Sequence, residues 1–159
     1  MDRIYAQINH SEAKLAFALA RYAGLRRSEV CKNLKWNNVY WDESLVVIPI
    51  AKTGEQQIEP MVPLLKEVLQ ESRKEDGFIV NLHPQTVTHY LSKAKKMAGI
   101  YKKGSIHILR HSLGKNLRSQ NMDIRDIQDT LRHSKITTTE LYTQVSKKDL
   151  LDRLSDKYI

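Results

Sequence analysis

At 159 residues the chain suits one domain and should bury about 68–70% of its unfolded surface, enough for a hydrophobic core. Its 41% hydrophobic and 28% charged residues exclude a disordered polymer, and no apolar run approaches the roughly 20 residues of a membrane-spanning helix. The net charge of +8 favours a polyanionic partner. The first residues carry neither the charged nor the apolar region of a signal peptide. The single cysteine, Cys31, cannot form an internal disulfide and fits a reducing, cytoplasmic compartment; it reads as a small core residue beside Val30 and Leu34.

In chain order, Ser11 to Ala23 is apolar at helical spacing through Leu15, Leu19 and Tyr22, and Gly24 reads as its terminator. Ser28 is placed to cap a short helix through Asn33. Residues 45–50 (Leu-Val-Val-Ile-Pro-Ile) and 57–62 (Gln-Ile-Glu-Pro-Met-Val) bracket Lys52-Thr53-Gly54, the pattern of a β-hairpin with a glycine in its turn. Pro63 opens a helix to about Lys74, and Pro84 opens another ending near Gly99. His107 to Ser119 and Asp123 to Arg132 read as two helices joined across Asn121-Met122. The spacing Thr137-x-x-Glu140 has the form of a capping box, which puts Tyr142 in the first turns of a short helix. Ser146-x-x-Asp149 caps a final helix, 147–158, whose Leu150, Leu151, Leu154 and Tyr158 make an apolar stripe. Such a terminal stripe usually docks on its own domain. The expected architecture is mainly α with a small antiparallel β element, an α+β domain without repeats or long linkers.

The positive charge is concentrated. From Lys93 to Arg118 the chain carries Lys93, Lys95, Lys96, Lys102, Lys103, Arg110, Lys115 and Arg118 with no acidic residue, equal in number to the whole excess of positive charge. Such a run is usually a solvated helix face, but a localised basic stretch is also the electrostatic footprint of a nucleic-acid partner.

The last third carries the chemistry. His107-Ile-Leu-Arg110-His111 is followed by Leu131-Arg132-His133-Ser134 and then by Tyr142, nine positions after His133. Together they offer a phenolic nucleophile, guanidinium donors and imidazoles for proton transfer. Guanidinium suits a phosphate because its planar fork matches two oxygens and stays protonated. Further upstream stands Gly24-Leu25-Arg26-Arg27-Ser28-Glu29. His107 and His111, at i and i+4, have a spacing that chelates zinc. Without an H-E-x-x-H motif or a cysteine cluster, no metal site is expected.

This constellation resembles the catalytic domain of the tyrosine recombinase (phage-type integrase, Xer-like) family, which cuts and rejoins DNA through a covalent phosphotyrosine. The resemblance runs from about Ser11 to Val145. It implies that Arg26, rather than the adjacent Arg27, binds the scissile phosphate with Arg110, and that Glu29 braces the site. It further implies that His107 and His133 donate to phosphate oxygens or relay protons. Lys52 matches the lysine that recombinases carry on a mobile β-hairpin to protonate the leaving 5′ oxygen, and Tyr142 is the nucleophile. Arg27, Lys93, Lys95, Lys96, Lys102, Lys103, His111, Lys115 and Arg132 are then DNA-contact candidates. No metal, cofactor or ATP is required, because the phosphotyrosine conserves the energy of the phosphodiester. The implied partners are double-stranded DNA and other recombinase subunits in a tetrameric synapse, with residues 147–158 as a candidate subunit contact.

Two departures stand out. Residues 1–159 read as a single catalytic domain without the N-terminal core-binding domain that family members usually carry. Arg132 occupies the position where the family commonly has glycine; if that position needs φ > 0, the arginine costs roughly 1–3 kcal/mol. The rival readings are relaxation of supercoiled DNA by type IB topoisomerase chemistry, and a DNA-binding module or decoy with little catalysis.

Overall fold

The computed structural model describes residues 2–49, 56–123, 126–127 and 130–131. Lys52-Thr53-Gly54, and everything expected from Arg132 to Tyr158, lie outside the described residues.

The central element is α2 (Ser11–Tyr22), which follows a short α1 (Asp2–Ala6). Ala13 and Leu15 through Ala20 are all buried. A helix apolar on nearly every side belongs in the middle of a domain, and α2 packs against α4 (Pro63–Glu71), α5 (Pro84–Met97) and α6 (His107–Ser119). Its end is set by Gly24, whose φ of +62° turns the chain back so that the Leu25 N–H reaches the Leu19 carbonyl at 3.3 Å. Added side-chain bulk would be strained there. Val30, Cys31 and Leu34 join the same core, as expected of Cys31.

The second helix differs from the sequence expectation. Instead of a helix capped by Ser28 and reaching Asn33, a single turn, α3 (Arg27–Val30), starts from Arg26 in extended conformation. The reason is local: Glu29, third in the turn, reaches back to accept the Arg26 N–H at 2.6 Å, the return half of a capping box that makes Arg26 and not Ser28 the N-cap. Beyond it Lys32 N–H bonds Val80 O, Ile79 N–H bonds Leu34 O and Trp36 N–H bonds Gly77 O, an extended pairing of distant segments that sequence reading does not anticipate.

The two strands expected to flank Lys52-Thr53-Gly54 pair with each other. β2 (Leu45–Ile48) pairs antiparallel with β3 (Gln57–Pro60) in register Val46↔Glu59 and Ile48↔Gln57. A two-residue β1 (Val39–Tyr40), too short to leave a sequence pattern, extends this to a three-stranded sheet in order β1-β2-β3. The helices opened by Pro63 and Pro84 begin at those residues, although α4 stops at Glu71 instead of Lys74. After α6, Ile127 N–H bonds Asp123 O and Leu131 N–H bonds Ile127 O, both helical spacings that agree with the helix expected from Asp123.

Candidate functional site

Gly24, Arg110 and Leu131, widely separated in the chain, meet at one end of the α2–α6 pair, with Arg26 two residues beyond Gly24. Arg110 projects from the first turn of α6 and is buried, 7% exposed. Its Nη1 donates to the carbonyl of Gly24 and its Nη2 to the carbonyl of Leu131. One guanidinium therefore ties the G-L-R-x-S-E segment, the H-x-x-R helix and the L-x-H-S segment to one another. The same meeting point is packed without a gap. A Cβ on Gly24 would lie 3.3 Å from both Leu113 Cδ2 and Leu131 Cδ2, and one on Gly114 only 2.9 Å from Leu131 Cδ1. Leu131, itself buried, fits into a notch that exists because both positions lack side chains.

Arg26 differs from Arg110 in every respect. Its side chain is 42% exposed and forms a 2.9 Å ion pair with Glu29, which is 14% exposed. Since Glu29 also holds the Arg26 backbone N–H, the carboxylate fixes where the arginine leaves the chain. An ion pair this exposed adds at most about 1 kcal/mol to stability, so its main consequence is orientation. Arg27 points elsewhere: its Nη1 lies 3.4 Å from Thr88 Oγ1 on α5. The two adjacent arginines, indistinguishable by composition, are thus separated by the start of the one-turn helix, Arg26 standing before it in extended conformation and Arg27 forming its first residue.

His107 is the first residue of α6 and His111 lies one turn further; both are exposed. Of the basic candidates, Lys93, Lys96, Lys102, Lys103 and Lys115 are also exposed. Lys95 is not. Read from the sequence as a DNA-contact candidate, it is 7% exposed, and its ammonium donates to the carbonyls of Lys102 (2.8 Å) and Gly104 (2.6 Å). Helix periodicity explains the correction: Lys95 stands four residues after Leu91 and eight after Val87, on the buried stripe of α5. Lys52, Arg132, His133 and Tyr142 lie outside the described residues.

The surroundings are electropositive, with no Asp or Glu anywhere from Gly77 to Met122. Among the described residues no group of three His, Cys, Asp or Glu side chains is close enough to hold a metal ion, and no helix is long and apolar enough to cross a membrane. The Cys31 thiol, pushed up by burial and only partly offset by Arg27, is unsuited to act as a thiolate.

Comparison with known proteins agrees with this arrangement. The model of the phage integrase family matches residues 1–149. Tyrosine recombinase XerA of Thermococcus onnurineus (strain NA1) is 35% identical over 150 residues, covering 86% of this chain and 52% of that protein. Tyrosine recombinase XerC of Xanthomonas axonopodis pv. citri (strain 306) is 30% identical over 139 residues, covering 80% and 45%. The chain spans about half the length of these relatives. Among solved structures, the integrase from mycobacterium phage Brujita superposes with a TM-score of 0.77 at 22% identity, covering 99% of this chain and 60% of that one. A crystal structure of XerA recombinase gives 0.71 at 21% identity, covering 99% and 62%. The chain belongs to the phage integrase family and has the fold of a Xer-like tyrosine recombinase catalytic domain.

Proposed function

We propose that the chain is the catalytic domain of a site-specific DNA strand transferase that acts through a 3′-phosphotyrosine. The observation that carries this reading is the Arg110 guanidinium joined to the Gly24 and Leu131 carbonyls. Gly24 lies two residues before Arg26, Leu131 two residues before His133, and Arg110 three residues after His107, so this one contact joins the three segments that carry the assigned residues. The phenol of Tyr142 gives up its proton as its oxygen bonds to phosphorus. The bond from phosphorus to the 5′ oxygen breaks, and Lys52 supplies the proton that makes this oxygen a hydroxyl. Proton transfer is needed at both ends because phenol and alcohol pKa values lie well above neutrality.

Charge builds on the non-bridging oxygens during the displacement. Arg26, Arg110, His107 and His133 are assigned to neutralise it, the kind of stabilisation that dominates such reactions. Glu29 holds Arg26 in the orientation that this requires. The reverse reaction, with a 5′-hydroxyl from a second strand, exchanges partners without ATP or metal.

The partner is double-stranded DNA, contacted along the phosphate backbone by Arg27, Lys93, Lys96, Lys102, Lys103, His111, Lys115 and Arg132. A solved lambda integrase structure is a tetramer bound to a Holliday junction; by analogy this chain works beside other subunits, with residues 147–158 as the contact, in the cytoplasm. The test is strand transfer: a nicked duplex is cleaved in the presence of an unlinked strand ending in a 5′-hydroxyl. Joined product supports the reading. Relaxation of supercoiled plasmid without joined strands would point to topoisomerase chemistry, and a gel shift without either would leave only a binding module.

A further inference from the structure

Burying a lysine ammonium is costly unless it is well partnered, and Lys95 is partnered by backbone alone in the contacts that define its surroundings. Nζ donates to Lys102 O at 2.8 Å and to Gly104 O at 2.6 Å, while the Lys95 carbonyl accepts the Ile100 N–H at 2.8 Å. One residue at the end of α5 thus grips the following loop at three points. The loop is closed at its far end by Gly104, with φ of +123° and no room for a Cβ, which would sit 2.2 Å from Ile108 Cγ2. Between these anchors the side chains face solvent: Tyr101 is 81% exposed, and Lys102 and Lys103 are exposed. His107 begins α6 three residues after Gly104.

We propose that Lys95 is a positioning residue, an internal strut that holds residues 101–104 as a preformed phosphate-contact element beside the start of α6. With the carbonyls of Lys102 and Gly104 turned inward onto the ammonium, the Lys102 and Lys103 side chains are presented outward with little ordering left to do on binding. Preorganisation of this kind raises affinity without adding a contact. The partner is the DNA backbone, favoured because Gly77 to Met122 contains no acidic side chain to repel it. The proposal rests on the strand-transferase reading for its DNA partner.

The test is the salt dependence of binding to a short duplex, compared for the wild-type chain, Lys95→Met, Lys102→Ala/Lys103→Ala, and the triple variant. Each lost phosphate contact lowers the slope of log K against log salt by about 0.9. A strut predicts that Lys95→Met weakens binding several-fold at every salt concentration while leaving the slope unchanged, whereas the double variant lowers the slope by roughly 1.8, and that the triple variant is no worse than the double. A slope lowered by about 0.9 in Lys95→Met, adding to the double variant's loss, would make Lys95 a direct phosphate contact and overturn the proposal; unchanged affinity in Lys95→Met would also overturn it. Gly104→Ala, which opens the loop from its other end, should reproduce Lys95→Met and covers the case in which that variant fails to fold. If the wild-type chain binds no DNA, the functional reading fails. The strut is then judged by amide exchange over residues 100–109: faster exchange in Lys95→Met supports it, and unchanged exchange overturns it.

Discussion

Arg110 donates to the carbonyl of Gly24 across 86 positions of sequence, and the same guanidinium donates to the carbonyl of Leu131. A residue expected to serve a phosphate therefore also serves the protein. Arginine suits both tasks because its N–H donors lie in a rigid, permanently charged plane that serves several acceptors at once. Lysine offers a single point of charge. The arrangement couples assembly of the site to folding of the α2–α6 pair.

Arg110→Ala should then cost stability as well as activity. Each buried carbonyl left unpaired costs about 1–3 kcal/mol, and at this chain length 1 kcal/mol moves Tm by about 2–4 °C. Thermal unfolding should show a drop of several degrees, with Arg110→Lys recovering part of it. An unchanged Tm in Arg110→Ala would mean that the two carbonyl contacts contribute nothing to folding.

Gly114→Ala isolates placement from stability. Alanine improves helix propensity by about 1 kcal/mol, yet its methyl would stand 2.9 Å from Leu131 Cδ1. The Leu131 side chain must give way, and the reaction rate reads whether the chain leading to His133 moves with it. The expected result is a Tm within a few degrees of wild type and a covalent-attachment rate lower by roughly tenfold to a hundredfold, the scale of an ångström-sized misplacement. Shortening the neighbour in Gly114→Ala/Leu131→Val should restore part of the rate. If the second substitution only lowers it further, the notch does not position that segment.

Alkaline stability follows from one buried acid, Cys31, and one half-buried acid, Tyr5. The Cys31 thiol is raised by burial, and the Tyr5 phenol is raised by burial first and by Glu71 second. Groups with folded pKa values above their unfolded ones ionise first in the unfolded chain. Their stabilising contribution is complete below the ordinary thiol and phenol ranges, about 8.5 and about 10, and is lost as pH rises through the folded values. Tm should fall between pH 8 and pH 10.5. The fall should be shallower in Cys31→Ala, measured relative to that variant's own Tm at pH 7. A parallel fall in both proteins would remove Cys31 from the explanation.

Much of this was legible in the sequence because it rests on local rules. Proline at the first helical position announces α4 and α5, Gly24 announces the end of α2, and the two segments bracketing Lys52-Thr53-Gly54 announce the paired strands. What escaped depends on contacts between distant segments. The pairing of Lys32 to Trp36 with Gly77 to Val80 has no sequence period. Arg26 and Arg27 become distinguishable only when Glu29 folds back on one and Thr88 meets the other. Lys95 is the instructive miss. Its place on the Val87–Leu91 stripe was visible, but the surrounding lysines made it read as one more surface cation. Periodicity should outrank composition when a charge falls on an apolar stripe.

The central claim is that Tyr142 becomes covalently linked to the 3′ end of a cleaved DNA strand. The direct measurement incubates the chain with a labelled duplex nicked next to the cleavage point, so that the short 5′-hydroxyl fragment diffuses away. Denaturing electrophoresis then separates any protein–DNA adduct, and peptide mass spectrometry locates the modified residue. The account predicts an adduct on Tyr142 that is absent from Tyr142→Phe, although that variant still binds the duplex. An adduct on another residue, one that survives in Tyr142→Phe, or binding without any adduct would contradict it.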